Sequence, residues 1–143
     1  MTLKEMTAVF GLILSGIAAL FGGWSEILNL LFWAMAIDFV TGLICAGVFG
    51  RSTKTHHGSL DSKAGFRGLG KKAVILLVVL LAHQVDRVIG TAYVMDAACF
   101  MYSANEVVSI TENLALMGVP LPQALIDKIE ALKGDDEIKE NEK

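Results

Sequence analysis

Charge is scarce in this chain, and most of the chain does without it. Only 19% of its 143 residues are Asp, Glu, Lys or Arg, against 54% hydrophobic ones. A soluble domain usually carries about 25% charge. Proline occurs only at Pro120 and Pro122, so no earlier helix is broken by that route. The two cysteines, Cys45 and Cys99, each lie inside an apolar run. They supply neither a disulfide framework nor clustered zinc ligands, and they behave as small hydrophobes. His56 and His57 sit in a polar stretch without partner thiols or imidazoles. There is no glycine-rich phosphate loop, no dinucleotide fingerprint and no Ser/His/Asp spacing. These absences point away from an enzyme, and no cofactor, metal or nucleic-acid partner is expected.

What is present is long uncharged runs, with a mean hydropathy of +0.57 overall. Met6–Ser25 is uncharged between Glu5 and Glu26. As a helix, a run of this length rises about 30 Å, the thickness of the hydrocarbon layer. A secretory signal peptide fits less well, since Lys4 is balanced by Glu5 and no small-residue cleavage site closes the run. Gly22-Gly23-Trp24-Ser25-Glu26 has the composition of a tight turn with an interfacial aromatic. Ile27–Gly50 follows, broken only by Asp38. Residues 51–72 are polar and carry Arg51, Lys54, Lys63, Arg67, Lys71 and Lys72 against the single acid Asp61. They form a basic loop in this reading. Apolar character returns over 71–89 and, after a turn at Gly90-Thr91, over 92–117, where Asp96, Asn105, Glu106 and Glu112 dilute it. A short amphipathic helix is expected over 123–133. The end of the chain, 134–143, is too charged to fold alone.

The expectation is therefore an all-α integral membrane protein. About four transmembrane helices (6–25, 27–50, 71–89 and 92–117) form two hairpins ahead of a charged C-terminal tail. Loops rich in Lys and Arg stay cytoplasmic. That rule places the central loop, both termini and the tail inside, in a bacterial cytoplasmic membrane. In this setting Lys63, Arg67, Lys71 and Lys72 hold topology and touch anionic lipid headgroups.

Asp38 is the most informative residue, because a carboxylate amid lipid costs roughly 2.5–3.5 kcal/mol on insertion scales and so faces protein or water. Ala34, Asp38, Gly42, Ala46 and Gly50 recur every four residues and share one stripe. Gly11, Ser15, Ala18 or Ala19, and Gly22 form a similar small-residue face in the first segment. Such faces let helices approach closely, either between chains or within one chain with Asp38 bonded to a neighbour. His83, Asp86 and Arg87 fit a solvated helix end. Tyr102, Asn105, Glu106, Ser109 and Glu112 give the last segment a polar side that avoids lipid. This side suits a water-filled hole or the membrane interface.

Three stretches carry a resemblance to a known family. They are Asp38-Phe39-Val40-Thr41-Gly42; Ser62-Lys63-Ala64-Gly65-Phe66-Arg67-Gly68-Leu69-Gly70-Lys71-Lys72 leading to His83-Gln84-Val85-Asp86; and Asn105-Glu106 followed by Ser109, Glu112-Asn113, Gly118 and Pro120-Leu121-Pro122. In this order they resemble the phage lysis and toxin-secretion holins, which include holins of Gram-positive phages and the clostridial toxin-release holin. The resemblance implies a homo-oligomer that opens lesions in the host membrane, so that an endolysin or a toxin crosses without direct contact being required. Two other readings share the same helices. One is an antiholin or regulatory membrane subunit. The other is a small channel or transporter subunit, with Asp38, His83 and Glu106 as an ion path.

Overall fold

A computed structural model describes residues 2–55, 57–127 and 131. It is all-helical among these residues, with four helices in the order α1 (Leu3–Leu20), α2 (Glu26–Gly47), α3 (Ser62–Ile89) and α4 (Tyr93–Leu116). Local chemistry sets most of the boundaries. Thr2 and Glu5 close a capping box at the start of α1, with the Thr2 N–H donating to Glu5 Oε2 at 2.7 Å. Gly22 and Gly23 end the turn after α1 with φ of 75° and 111°, values that favour residues lacking a Cβ. Ser25 Oγ accepts from the Leu28 N–H to start α2. The turn is braced by the Trp24 and Phe32 rings, 5.0 Å apart, and by Trp24 Nε1 donating to Asn29. Gly90, in the left-handed region, closes α3.

Two boundaries differ from the sequence expectation. The basic stretch over 51–72 is not a single loop, because α3 already begins at Ser62, where Asp61 Oδ1 accepts the Lys63 N–H at 2.9 Å. Gly65, Gly68 and Gly70 suggested a loop, but they sit inside a helix that this cap and the long run after Lys72 sustain. Gly50 does not extend the stripe of α2, since the helix ends at Gly47 and Gly50 takes a φ of 60° in the following turn. Of the helix expected over 123–133, residues 123–127 are helical, whereas the charged tail lies outside the described residues.

Helix α4 is central. It packs along α2 and α3, which scarcely touch each other. Leu28, Leu31 and Met35 of α2, Val79 and Ala82 of α3, and Met95 and Cys99 of α4 meet in the core, closed at one end by Phe21. The outward faces are no less apolar. Leu30, Trp33, Ile37, Val40 and Ile44 line the far side of α2, and Leu77, Leu81, Val85 and Val88 that of α3. Helix α1 has no buried residue at all. Helices that are apolar on both sides suit lipid, where the outer side costs nothing. Two of them, α1 and α2, are long and apolar enough by length and composition to cross a membrane.

An internal ion cluster as candidate functional site

The polar residues of this apolar bundle converge. Asp38 on α2, Lys72 on α3 and Glu106 on α4 are brought together where the three helices face one another. Lys72 Nζ lies 2.9 Å from Asp38 Oδ2 and also donates to Glu106 Oε2. Both carboxylate side chains are 9% exposed and the Lys72 side chain 13%. From the loop after α2, Lys54 Nζ reaches Asp38 Oδ1 at 3.4 Å and donates to Ser109 Oγ at 2.8 Å. The Asn113 amide donates to Asp38 Oδ1 at 3.3 Å and to Thr41 Oγ1 at 3.1 Å, tying α4 to α2. Two acids meet two bases, so the cluster is formally neutral. Neutrality and hydrogen bonding together make such groups tolerable inside an apolar body.

Asp38 and Gly42 thus face α4 of their own chain, with Asn113 beside Gly42. Ala34 and Ala46 of the same stripe are buried. On α4 the expected polar side divides: Glu106 is buried, Ser109 and Tyr102 are half-buried, and Asn105 and Glu112 are exposed. The structure corrects the grouping of Lys72 with the headgroup lysines, because its ammonium turns inward, whereas Lys63, Arg67 and Lys71 stay exposed. Gly22 belongs to the interhelical turn and not to a face of α1; its neighbour is the His83 ring. Gly11 and Ser15 remain on an uncovered α1. Lys54, Thr41 and Asn113 join the cluster as well; the sequence presents Lys54 as one base of the 51–72 stretch and Thr41 and Asn113 as parts of the resembling stretches, none of them as a partner of Asp38. The requirement that Asp38 find partners was the signal that such a cluster exists.

At the other end of the bundle Asp86 is 3% exposed rather than solvated. Its carboxylate accepts from Thr91 Oγ1 at 2.5 Å and from the Val94 and Met95 N–H groups at 3.0 and 2.8 Å. It therefore caps the start of α4, whose own N-cap residue Ala92 has no side chain for the task. Among the described residues no group of His, Cys, Asp and Glu is arranged to hold a metal ion.

A family model described as the bacteriophage holin family matches residues 15–134. The chain is 33% identical over 118 residues to a probable holin of Bacillus phage phi105, covering 82% of each chain. It is 38% identical over 124 residues to an uncharacterized protein of Listeria monocytogenes, covering 84% of this chain and 83% of the other. An uncharacterized protein of Bacillus subtilis matches at 33% over 123 residues, 85% of this chain and 81% of its own. No solved structure matches. With the match spanning most of the four-helix region, this chain belongs to the bacteriophage holin family.

Proposed function

We propose that the chain is a working holin. It accumulates in the bacterial cytoplasmic membrane, assembles with copies of itself and opens a lesion through which an endolysin, or a toxin, leaves the cell. The observation that carries this reading is the internally paired polar layer. Asp38, Lys54, Lys72, Glu106, Ser109 and Asn113 neutralise and bond one another inside a bundle whose outside is apolar. In that state the chain is stable in lipid as a closed unit. If the helices of several copies separate and turn the same faces toward a shared lumen, water takes over the solvation that the cluster now supplies.

In this reading all four helices cross the membrane as two hairpins, with both termini cytoplasmic. Lys63, Arg67 and Lys71 lie at the inner headgroups. Helix α1, apolar all round and unpacked in the single chain, provides surface for assembly, with Gly11 and Ser15 on its small-residue face.

The test is induced expression in a bacterial host with and without a co-expressed endolysin. Abrupt loss of membrane potential in both cultures, with lysis only where endolysin is present, is the expected result. Undisturbed growth of both cultures would sink the reading. Reporter fusions after Arg51 and at Lys143 should both report cytoplasm.

A further inference from the structure

The acids of the ion cluster do not use up the bases gathered around it. Lys54, Arg67, Lys71 and Lys72 line one cavity with Asp38 and Glu106, giving four cations to two anions. Lys72 and Lys54 engage the two carboxylates, whereas Arg67 and Lys71 have no ion partner among the described residues. This surplus adjoins a second, mostly apolar groove. Where α2 and α3 pass, Gly42 and Ala46 on one side look toward Ala64, Gly65 and Gly68 on the other. The two cavities share Asp38, Lys54, Ala64, Gly68 and Lys72 and so run into each other; with Asp61 on the second lining, the composite site holds four cations to three anions. A Cβ built on Gly65 or Gly68 meets nothing within 4 Å, so the chain itself does not fill the groove. Nearby, the buried Thr55 hydroxyl has no hydrogen-bond partner among the described residues.

We infer that this composite groove is a binding site for one anionic phospholipid, with its phosphate held by Arg67 and Lys71 beside Lys54 and Lys72 and an acyl chain laid between α2 and α3. Two features argue for that occupant. The local excess of positive charge complements a phosphodiester, and Arg presents paired donors that match phosphate oxygens. The apolar groove continuing from the cations suits a molecule that is anionic at one end and hydrocarbon along its length. A free anion would use only the basic half. A zwitterionic lipid would bring a cation of its own into a site already in excess of them. The inference rests on the membrane setting of the proposed function but not on lesion formation.

The full chain, purified in mild detergent and reconstituted with equal parts of phosphatidylglycerol and phosphatidylcholine, would be washed and its retained lipid quantified by native mass spectrometry. Phosphatidylglycerol should be retained selectively, and inorganic phosphate should not displace it. The double variant R67Q/K71Q leaves Lys54 and Lys72 in place and should weaken retention about thirtyfold. Gly68→Leu fills the groove without changing charge and should also lower retention, with helix content unchanged in both variants. Equal retention of the two lipids, equal retention by wild type and R67Q/K71Q, or displacement by inorganic phosphate would overturn the site. Lipid selectivity in a chain that fails to lyse cells would sustain it while refuting the holin reading.

Discussion

The Lys72 ammonium on α3 sits 2.9 Å from the Asp38 carboxylate on α2, a contact between residues 34 apart in the chain that α4 completes with Glu106. Among the described residues Lys72 is the base that holds both acids of the cluster, so its loss is the most damaging single change there. Lys72→Met leaves two carboxylates facing each other, with Lys54 on Asp38 as the one remaining ion pair of the cluster among the described residues. Breaking a buried pair from one side costs about 3–5 kcal/mol. The double variant Lys72→Met/Glu106→Gln restores neutrality, with Asp38 against Lys54, and should recover a large part of the loss. Unfolding of the detergent-solubilised chain, followed by helicity, checks both. An additive double variant would mean that the groups are not coupled.

Lys54 offers a contrast within the same cluster. Its side chain is 52% exposed and its contact with Asp38 is 3.4 Å, so water already solvates much of the charge. Lys54→Met should cost less than about 1 kcal/mol, in the range of exposed pairs. The same unfolding measurement should rank it well below Lys72→Met. Equal costs would show that the two lysines share the load.

The turn between α1 and α2 carries a steric prediction. Gly22 has a φ of 75°, and a Cβ there would run into the His83 ring. Gly22→Ala therefore meets two obstacles, a left-handed backbone and the imidazole. Adding His83→Ala removes the second obstacle only. Gly22→Ala should destabilise the chain by about 1–2 kcal/mol, with partial recovery in the double variant. Full recovery would mean that backbone conformation contributes nothing.

How much of this was legible beforehand follows from the range of each interaction. Helices α1 and α2 showed themselves as uncharged runs, and the Gly22-Gly23-Trp24-Ser25-Glu26 turn was visible because glycine flexibility and a serine cap act locally. The start of α3 was hidden, since Gly65, Gly68 and Gly70 weaken a helical pattern that only the Asp61 cap and the following run sustain. Asp38 announced itself through the cost of a charge in an apolar helix, but not its partners. Lys72 looked like any other base of a topology-setting stretch, and only the approach of α3 to α2 and α4 turns it inward. Asp86 was misplaced for the same reason. Besides the Thr91 hydroxyl, its partners are the Val94 and Met95 backbone N–H groups, which no residue type marks.

Asp86 also gives a test of the α3–α4 hairpin. Asp86→Ala removes the acceptor for Thr91, Val94 and Met95 together, and loss of a helix cap costs about 1–2 kcal/mol. Asp86→Asn keeps one carbonyl oxygen and should cost less. Hydrogen exchange at Val94 and Met95 should accelerate most in the alanine variant. Unchanged protection there would remove Asp86 from the role of cap.

The last prediction joins the cluster to lysis. In the single chain Asp38 neutralises Lys72 and Lys54 and accepts from Asn113. Asp38→Asn keeps the shape but leaves the two lysines with Glu106 alone, so the closed bundle loses favourable pairing. If the open lesion exposes the same groups to water, it loses little by the change, because water solvates the unpaired ammonium. The balance then moves toward opening, and lysis in the presence of endolysin should begin earlier at equal protein accumulation. Crosslinked oligomers should also appear sooner after induction. A later onset would mean that Asp38 is needed in the open assembly itself. Unchanged timing together with an unchanged crosslinking pattern would take Asp38 out of the mechanism.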